Sequence, residues 1–191
     1  RSAWLPRKVV DIVANDACRG WRDWQGTAEQ NQAIAALEKQ LNVRGKILDA
    51  MKKSRLFGGA CVYIGTGATD LSTPMRESEQ IQHLTTISRT QMNAGEEDTD
   101  PTSKYFGLPM YYTVAGGAER VHPSRLVIFY GGKLPDETTD VQTSYRGWGD
   151  SVLMPVIDAM FSADSTVANV ASLIFEAKVD VIKIPDFMAS L

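Results

Sequence analysis

A chain of 191 residues with 43% hydrophobic content is long enough to bury one core and too apolar for a disordered tail. Its formal net charge of −3 lacks the basic excess of a dedicated nucleic-acid clamp, although a surface past which DNA merely slides is compatible with it. No run approaches the ~18 apolar residues of a spanning helix, and the start Arg1-Ser-Ala-Trp-Leu-Pro has no signal-peptide core, so an origin in the cytosol and no membrane partner are expected.

In chain order, Leu5-Pro6 opens a helix with proline in a permitted first-turn position, and Val9, Val10, Ile12, Val13 and Ala17 give it an apolar face ending near Gly20. Thr27 with Gln30 three residues later has the form of a capping box. From there Ile34, Leu37, Leu41, Ile47, Leu48 and Met51 carry a helical period toward Ser54, with a break expected at Gly45. The segment 56–65 reads as a buried strand whose Gly58 and Gly59 admit a close neighbour. Further strands are expected at 84–90, 110–114 and 125–130, with polar loops between them. Gly147 and Gly149 flank Trp148, a turn that presents one large ring, and Asp150 or Ser151 then supplies an N-cap. A long helix over about 151–177 follows, its residues Val156, Ala159, Ala163, Val167, Val170 and Ile174 recurring at steps of three or four as a buried or interfacial stripe. A two-residue period over 179–184, stopped by Pro185, ends the pattern in a short strand. Helices at both ends with a mixed or antiparallel set of strands between them define an α+β fold over one region, 1–191. The chain begins at Arg1 and stops just after that strand, so a piece of a longer protein is expected.

Most chemistry-bearing patterns have plain structural explanations. Cys18 and Cys61 share no metal-ligand spacing, so two reduced, buried thiols and no structural metal are expected. The glycines over 58–67 are not followed by Lys-Ser or Lys-Thr at phosphate-loop spacing, and no cofactor is implied. The acidic run Glu96, Glu97, Asp98 and Asp100 lacks the alternation and central glycine of a calcium loop and reads as solvated. Arg44, Lys46, Lys52, Lys53 and Arg55 gather toward a helix C-terminus, where cations meet the favourable end of the dipole.

The two histidines make a sharper pattern. They open His83-Leu-Thr85 and His122-Pro-Ser124, and strand-flanked His-x-Thr/Ser pairs resemble those of two-histidine phosphoesterases. In such enzymes each imidazole works as acid or base while the hydroxyls hold phosphate oxygens, chemistry suited to cyclic nucleotides or RNA ends. Against this stand the brevity of the motif and Pro123, which disfavours a regular strand.

Several segments together resemble the portal proteins of tailed bacteriophages. The early helix over 6–24, the Arg55-Leu-Phe-Gly-Gly-Ala segment, the His122-Pro-Ser-Arg125-Leu-Val segment leading to Gly131, the Trp148-Gly-Asp-Ser-Val-Leu helix start and the Phe175-Glu-Ala-Lys-Val-Asp-Val-Ile-Lys-Ile-Pro exit occur in that family's order. The resemblance implies the N-terminal part of a portal wing and a non-enzymatic head-tail connector of the virion. That connector is a homo-oligomeric ring, typically a dodecamer, through which double-stranded DNA is packaged and ejected. It further implies docking to the large terminase subunit, head-completion adaptors and the major capsid protein, with synthesis in the host cytoplasm. On that reading no residue is catalytic. Trp148, Gly149, Asp150, Val156, Val170 and Arg125 are the expected packing or subunit-interface positions, and the two-histidine phosphodiesterase, through His83/Thr85 and His122/Ser124, is the rival.

Overall fold

The computed structural model describes residues 4–103, 106–114, 116–132 and 148–177, and the chain divides into two units, 1–154 and 155–191. Helix α1 (Trp4–Ala17) turns Val10 and Ala14 inward, with Cys18 buried just beyond its end. Helix α2 (Ala28–Leu41) starts at the expected capping box: Thr27 Oγ1 accepts the Gln30 amide at 3.3 Å, and Gln30 Oε1 accepts the Thr27 amide at 3.1 Å. The break that follows falls at Asn42 instead of Gly45. Asn42 takes a left-handed conformation with φ 50°, which asparagine tolerates, and helix α3 (Val43–Phe57) begins at once. Gly45 lies inside α3, where a β-carbon would stand 2.5 Å from Asn42 Oδ1, so its smallness makes room for the side chain that turns the corner.

Helix α3 runs on through Leu56 and Phe57, residues expected in a strand, and stops at Gly58 with φ 82°. The strands are β1 (Gly59–Gly65), β2 (His83–Ser88), β3 (Met92–Ala94), β4 (Tyr112–Val114), β5 (Arg120–Val121) and β6 (Leu126–Tyr130). They form two three-stranded antiparallel sheets of order β2-β1-β6 and β3-β4-β5. In the first sheet Tyr63 pairs with Thr85 on one side and with Leu126 on the other, and Gly65 pairs with His83.

Side-chain alternation gives this sheet two unlike faces. Cys61, Ile87 and Leu126 point into a core closed by Met92, Tyr112 and Val121 of the second sheet and by Trp148. On the other face the Thr86 hydroxyl reaches Lys46 O and Lys53 donates to Thr86 O, so α3 covers it. Sheet β3-β4-β5 and helix α3 therefore lie on opposite sides of sheet β2-β1-β6.

The segment around Trp148 crosses the end of β1 at backbone distance. Gly131 donates to Gly58 O at 3.0 Å, and Gly132 and Asp150 exchange backbone hydrogen bonds of 2.7 and 2.8 Å. A β-carbon on Gly58 would collide with Gly149 O, which explains why glycine stands there beyond its positive φ.

A 3-10 turn, Met154–Val156, leads into helix α4 (Ile157–Glu176), which belongs to the second unit. Residues 151–153, expected as its first turn, are instead tied to the end of α3, where Val152 N–H and the Ser151 hydroxyl both meet Arg55 O. The side chains of Phe161, Val167, Val170, Leu173, Ile174 and Phe175 are exposed. The strand expected over 179–184 lies outside the described residues.

Candidate functional site

Sequence-predicted chemistry converges on one end of β1. His83 opens β2 directly beside Gly65, whose missing side chain gives the His83 ring its place; a β-carbon there would lie inside the imidazole. The same ring meets Tyr63 at a centroid distance of 6.0 Å. Thr85 stands two residues along the same face and is exposed. On the other flank of β1, His122 precedes a 3-10 turn, Pro123–Arg125, that feeds β6. Two strand spacings, roughly 10 Å, separate the flanks of a central strand, so the His83 and His122 backbones share one end of the sheet without touching.

Local hydrogen bonding fixes the chemical state of His122. Its Nδ1 accepts the Ser124 amide at 3.1 Å and lies 2.9 Å from Ser124 Oγ, which in turn accepts the Met75 amide at 2.9 Å. The chain of donors runs from Met75 N–H to the Ser124 hydroxyl to His122 Nδ1. Burial, and then the charge of Arg125, hold the His122 pKa below its usual 6.5, which favours the neutral ring. With Nδ1 accepting, that neutral ring carries its proton on Nε2. His122 thus has its inner nitrogen committed to a backbone amide, and Ser124 has both its proton and an acceptor position in use.

Beneath this pair lies the most buried charge of the described residues. Arg125 is 1% exposed, yet its guanidinium reaches Glu79 at 2.8 and 3.2 Å, Thr66 Oγ1 at 3.0 Å and Thr73 O at 3.1 Å. The Arg125 bonds, with those from Thr66 and the Arg76 amide, hold the Glu79 carboxyl down to a pKa of about 2. All three partner residues belong to the 66–82 loop between β1 and β2. Arg125, expected from sequence as a fork onto a neighbouring segment, clamps that loop over the His122 turn. Glu79 and Thr66 were not singled out by sequence reasoning. Their only signal is that a loop of this length needs an internal anchor.

The remaining expected positions are scattered. Trp148 packs on Gly59 and meets Tyr112 and Tyr130 at centroid distances of 6.1 and 6.3 Å, inside the core of the first unit. Gly149 accepts from Arg89 at 3.1 Å through its carbonyl. Asp150 works through its backbone, and Val156 and Val170 have exposed side chains in the second unit. Cys18 and Cys61 are buried, free thiols, and burial pushes Cys61 up to about 12. Among the described residues no cluster of three metal-ligating side chains occurs, and no helix is long and apolar enough to cross a membrane.

This chain belongs to the phage portal protein family, whose profile matches residues 1–191. Among curated proteins it is similar to one of Caulobacter sp. (strain RHG1) named anti-CBASS protein Acb1, 42% identical over 97% of this chain and 31% of the relative. A protein of Sphingomonas paeninsulae with the same name is 39% identical over 100% of this chain and 32% of its own length. A Haemophilus influenzae protein with no assigned function is 32% identical over 96% of this chain and 42% of its length. The chain thus spans about a third of the two relatives that carry a functional name. That name overturns two expectations. A head-tail connector whose whole role is structural, and a protein without enzymatic activity, are both corrected by relatives identified as anti-CBASS proteins. The family places the chain among bacteriophage-related proteins; terminase, adaptor and capsid partners do not follow from it.

Proposed function

We propose that this chain is the portal-family module of a longer phosphodiesterase that degrades cyclic nucleotides, and that the acid–base groups of the reaction lie in the length of the parent beyond this chain. The similarity to two anti-CBASS proteins over essentially all of the chain supports the enzymatic reading of the parent. The observation that carries the division of labour is the state of His122. Hydrolysis needs one group to take a proton from the attacking hydroxyl and another to give one to the departing ribose oxygen. An imidazole whose Nδ1 accepts the Ser124 amide has that nitrogen committed, and its lowered pKa disfavours the charged ring that would give up a proton.

A second reading is favoured by one observation, the placement of His83 and His122 at the same end of β1. In it His83 is the acid–base group, and His122, held in place through Ser124, lies beside the same phosphate. Incubating the purified parent with a panel of cyclic di- and trinucleotides, and resolving products by anion exchange, tests the class. Linear products are expected; a parent that leaves every cyclic nucleotide intact refutes the phosphodiesterase reading altogether.

A further inference from the structure

Between α1 and α2, two tryptophans and an arginine form a stack that ends on an open pocket. Arg22 lies over the Trp21 ring at 5.0 Å and over the Trp24 ring at 4.6 Å. Glu38 fixes the inner layers: it accepts from Arg22 Nε and Nη2 at 3.1 and 2.7 Å and from Trp21 Nε1 at 3.1 Å. Trp24 is therefore held on one face by a guanidinium with little freedom of its own. Its ring is nevertheless 41% exposed, and it borders a pocket of about 420 Å³ whose other apolar walls are Ala33 and Ile34. That volume falls among small-molecule sites, which span roughly 300–1,000 Å³.

The polar wall of the pocket is Gly26, Gln30 and Asn31. Asn31 Nδ2 donates to Gly26 O at 3.3 Å, which fixes the amide and its Oδ1. That oxygen is buried and, among the described residues, has no hydrogen-bond partner. A β-carbon on Gly26 would stand 2.9 Å from it and 3.1 Å from Gln30 Oε1, so two acceptors converge beside a residue that sets no side chain over them. Gln30 Oε1 takes one bond, from the Thr27 amide, and keeps a second lone pair. Two acceptor oxygens aimed at one spot call for a group with two N–H bonds, and an exposed tryptophan face calls for a flat ring. Among the described residues that line the pocket none is basic, and Asp23 and Glu29 are close in sequence, so the wall offers a phosphate no charge to meet.

We propose that this pocket binds adenine, as nucleoside or nucleotide, with the ring stacked on Trp24 and the exocyclic amine given to Asn31 Oδ1 and Gln30 Oε1. Uracil and thymine lack the amine, while guanine and cytosine bring a carbonyl that walls of Ala33 and Ile34 would leave unpaired. Adenine alone of the common bases brings the amine without the carbonyl. Recognition stops at the ring, so what carries the base is immaterial. Binding is independent of the proposed chemistry, and adenosine, which has no phosphodiester, reports it separately.

The test titrates adenosine into the full-length parent by isothermal titration calorimetry. Inosine, with an oxygen in place of the amine, should bind about 10-fold more weakly, the loss expected when buried acceptors meet no donor. Trp24→Ala should weaken adenosine on the order of 10-fold or more, the scale of one base–aromatic stack, and Trp24→Phe should recover part of it. Gly26→Ala, at an exposed glycine, fills the approach to Asn31 Oδ1 and should also weaken adenosine about 10-fold with circular dichroism unchanged; it serves if Trp24→Ala unfolds. AMP and a short oligodeoxyadenylate distinguish the carriers of the base, and both should match adenosine per site at low and high salt. No adenosine binding at millimolar concentration, inosine or uridine equal to adenosine, or binding that survives Gly26→Ala and Trp24→Ala in folded protein would each overturn the proposal. A salt-dependent preference for the oligonucleotide would overturn it as well.

Discussion

Replacing Gly59 and Trp148, singly and together, probes the contact on which the first unit's core closes. Trp148 is 6% exposed. An indole of its size buries ~150–250 Å², which at ~25 cal/mol per Å² sets an upper bound of about 4–6 kcal/mol; large-to-small core truncations of this kind cost ~3–5 kcal/mol. Trp148→Ala is expected in that range. Gly59→Ala works from the other side: its β-carbon would overlap Trp148 Cε3 and stand 3.1 Å from Cδ2. The ring is bounded by Tyr112 and Tyr130 and has little room to retreat, so overpacking of ~1–3 kcal/mol is expected. In the Trp148→Ala background the same methyl enters the space the indole has left, and its cost should vanish. The double-mutant cycle therefore predicts a coupling of ~1–3 kcal/mol, read from urea unfolding followed by far-UV circular dichroism. Losses that add to within ~0.5 kcal/mol would refute the claim that Gly59 is glycine because of Trp148.

The Glu79 carboxyl has its pKa lowered from 4.5 to about 2, so its contribution to stability is full above 4.5 and disappears as pH falls through 2. Glu79→Gln should flatten the acid limb of stability in that window, measured by denaturant unfolding at a series of pH values. His122 is shifted below 6.5 by burial and by Arg125, so folding loses stability as pH falls below 6.5; a proton NMR titration should place its midpoint under that value, and Arg125→Met should raise it. Burial raises the Cys61 thiol to about 12, and a thiol reagent should label it only as fast as the protein unfolds. Labelling at the rate of a free thiol would mean that the core around Met92 opens readily.

The sequence made the capping box at Thr27 and strands β1, β2, β4 and β6 legible because both rest on short-range rules, a fixed three-residue spacing and short apolar runs between turn residues, while pairing direction and the short strands β3 and β5 depend on partners distant in sequence. Leu56 and Phe57 were misplaced because a short apolar run serves a helix end and a strand equally, and only the positive φ of Gly58 separates the two. The hinge at Asn42 was hidden by a nearby glycine with a stronger breaking propensity. What decided it was the fit of one amide against Gly45. The clamp of Arg125 on Glu79 joins residues 46 apart, and the role of His122 depends on which nitrogen meets a backbone amide. Neither is written in a three-letter motif. The functional correction has a different origin: resemblance to a structural family said nothing about the anti-CBASS name carried by relatives about three times as long.

The central claim, an enzyme whose acid–base groups lie beyond this chain, is tested most directly by cyclic-nucleotide turnover in the full-length parent with His83 and His122 both replaced by alanine. The account predicts linear products at a rate close to the unaltered parent's, with folding intact by circular dichroism, and no turnover by the 191-residue chain alone. Turnover abolished in the folded double variant, or sustained by the chain alone, would contradict it and move the chemistry to the end of β1.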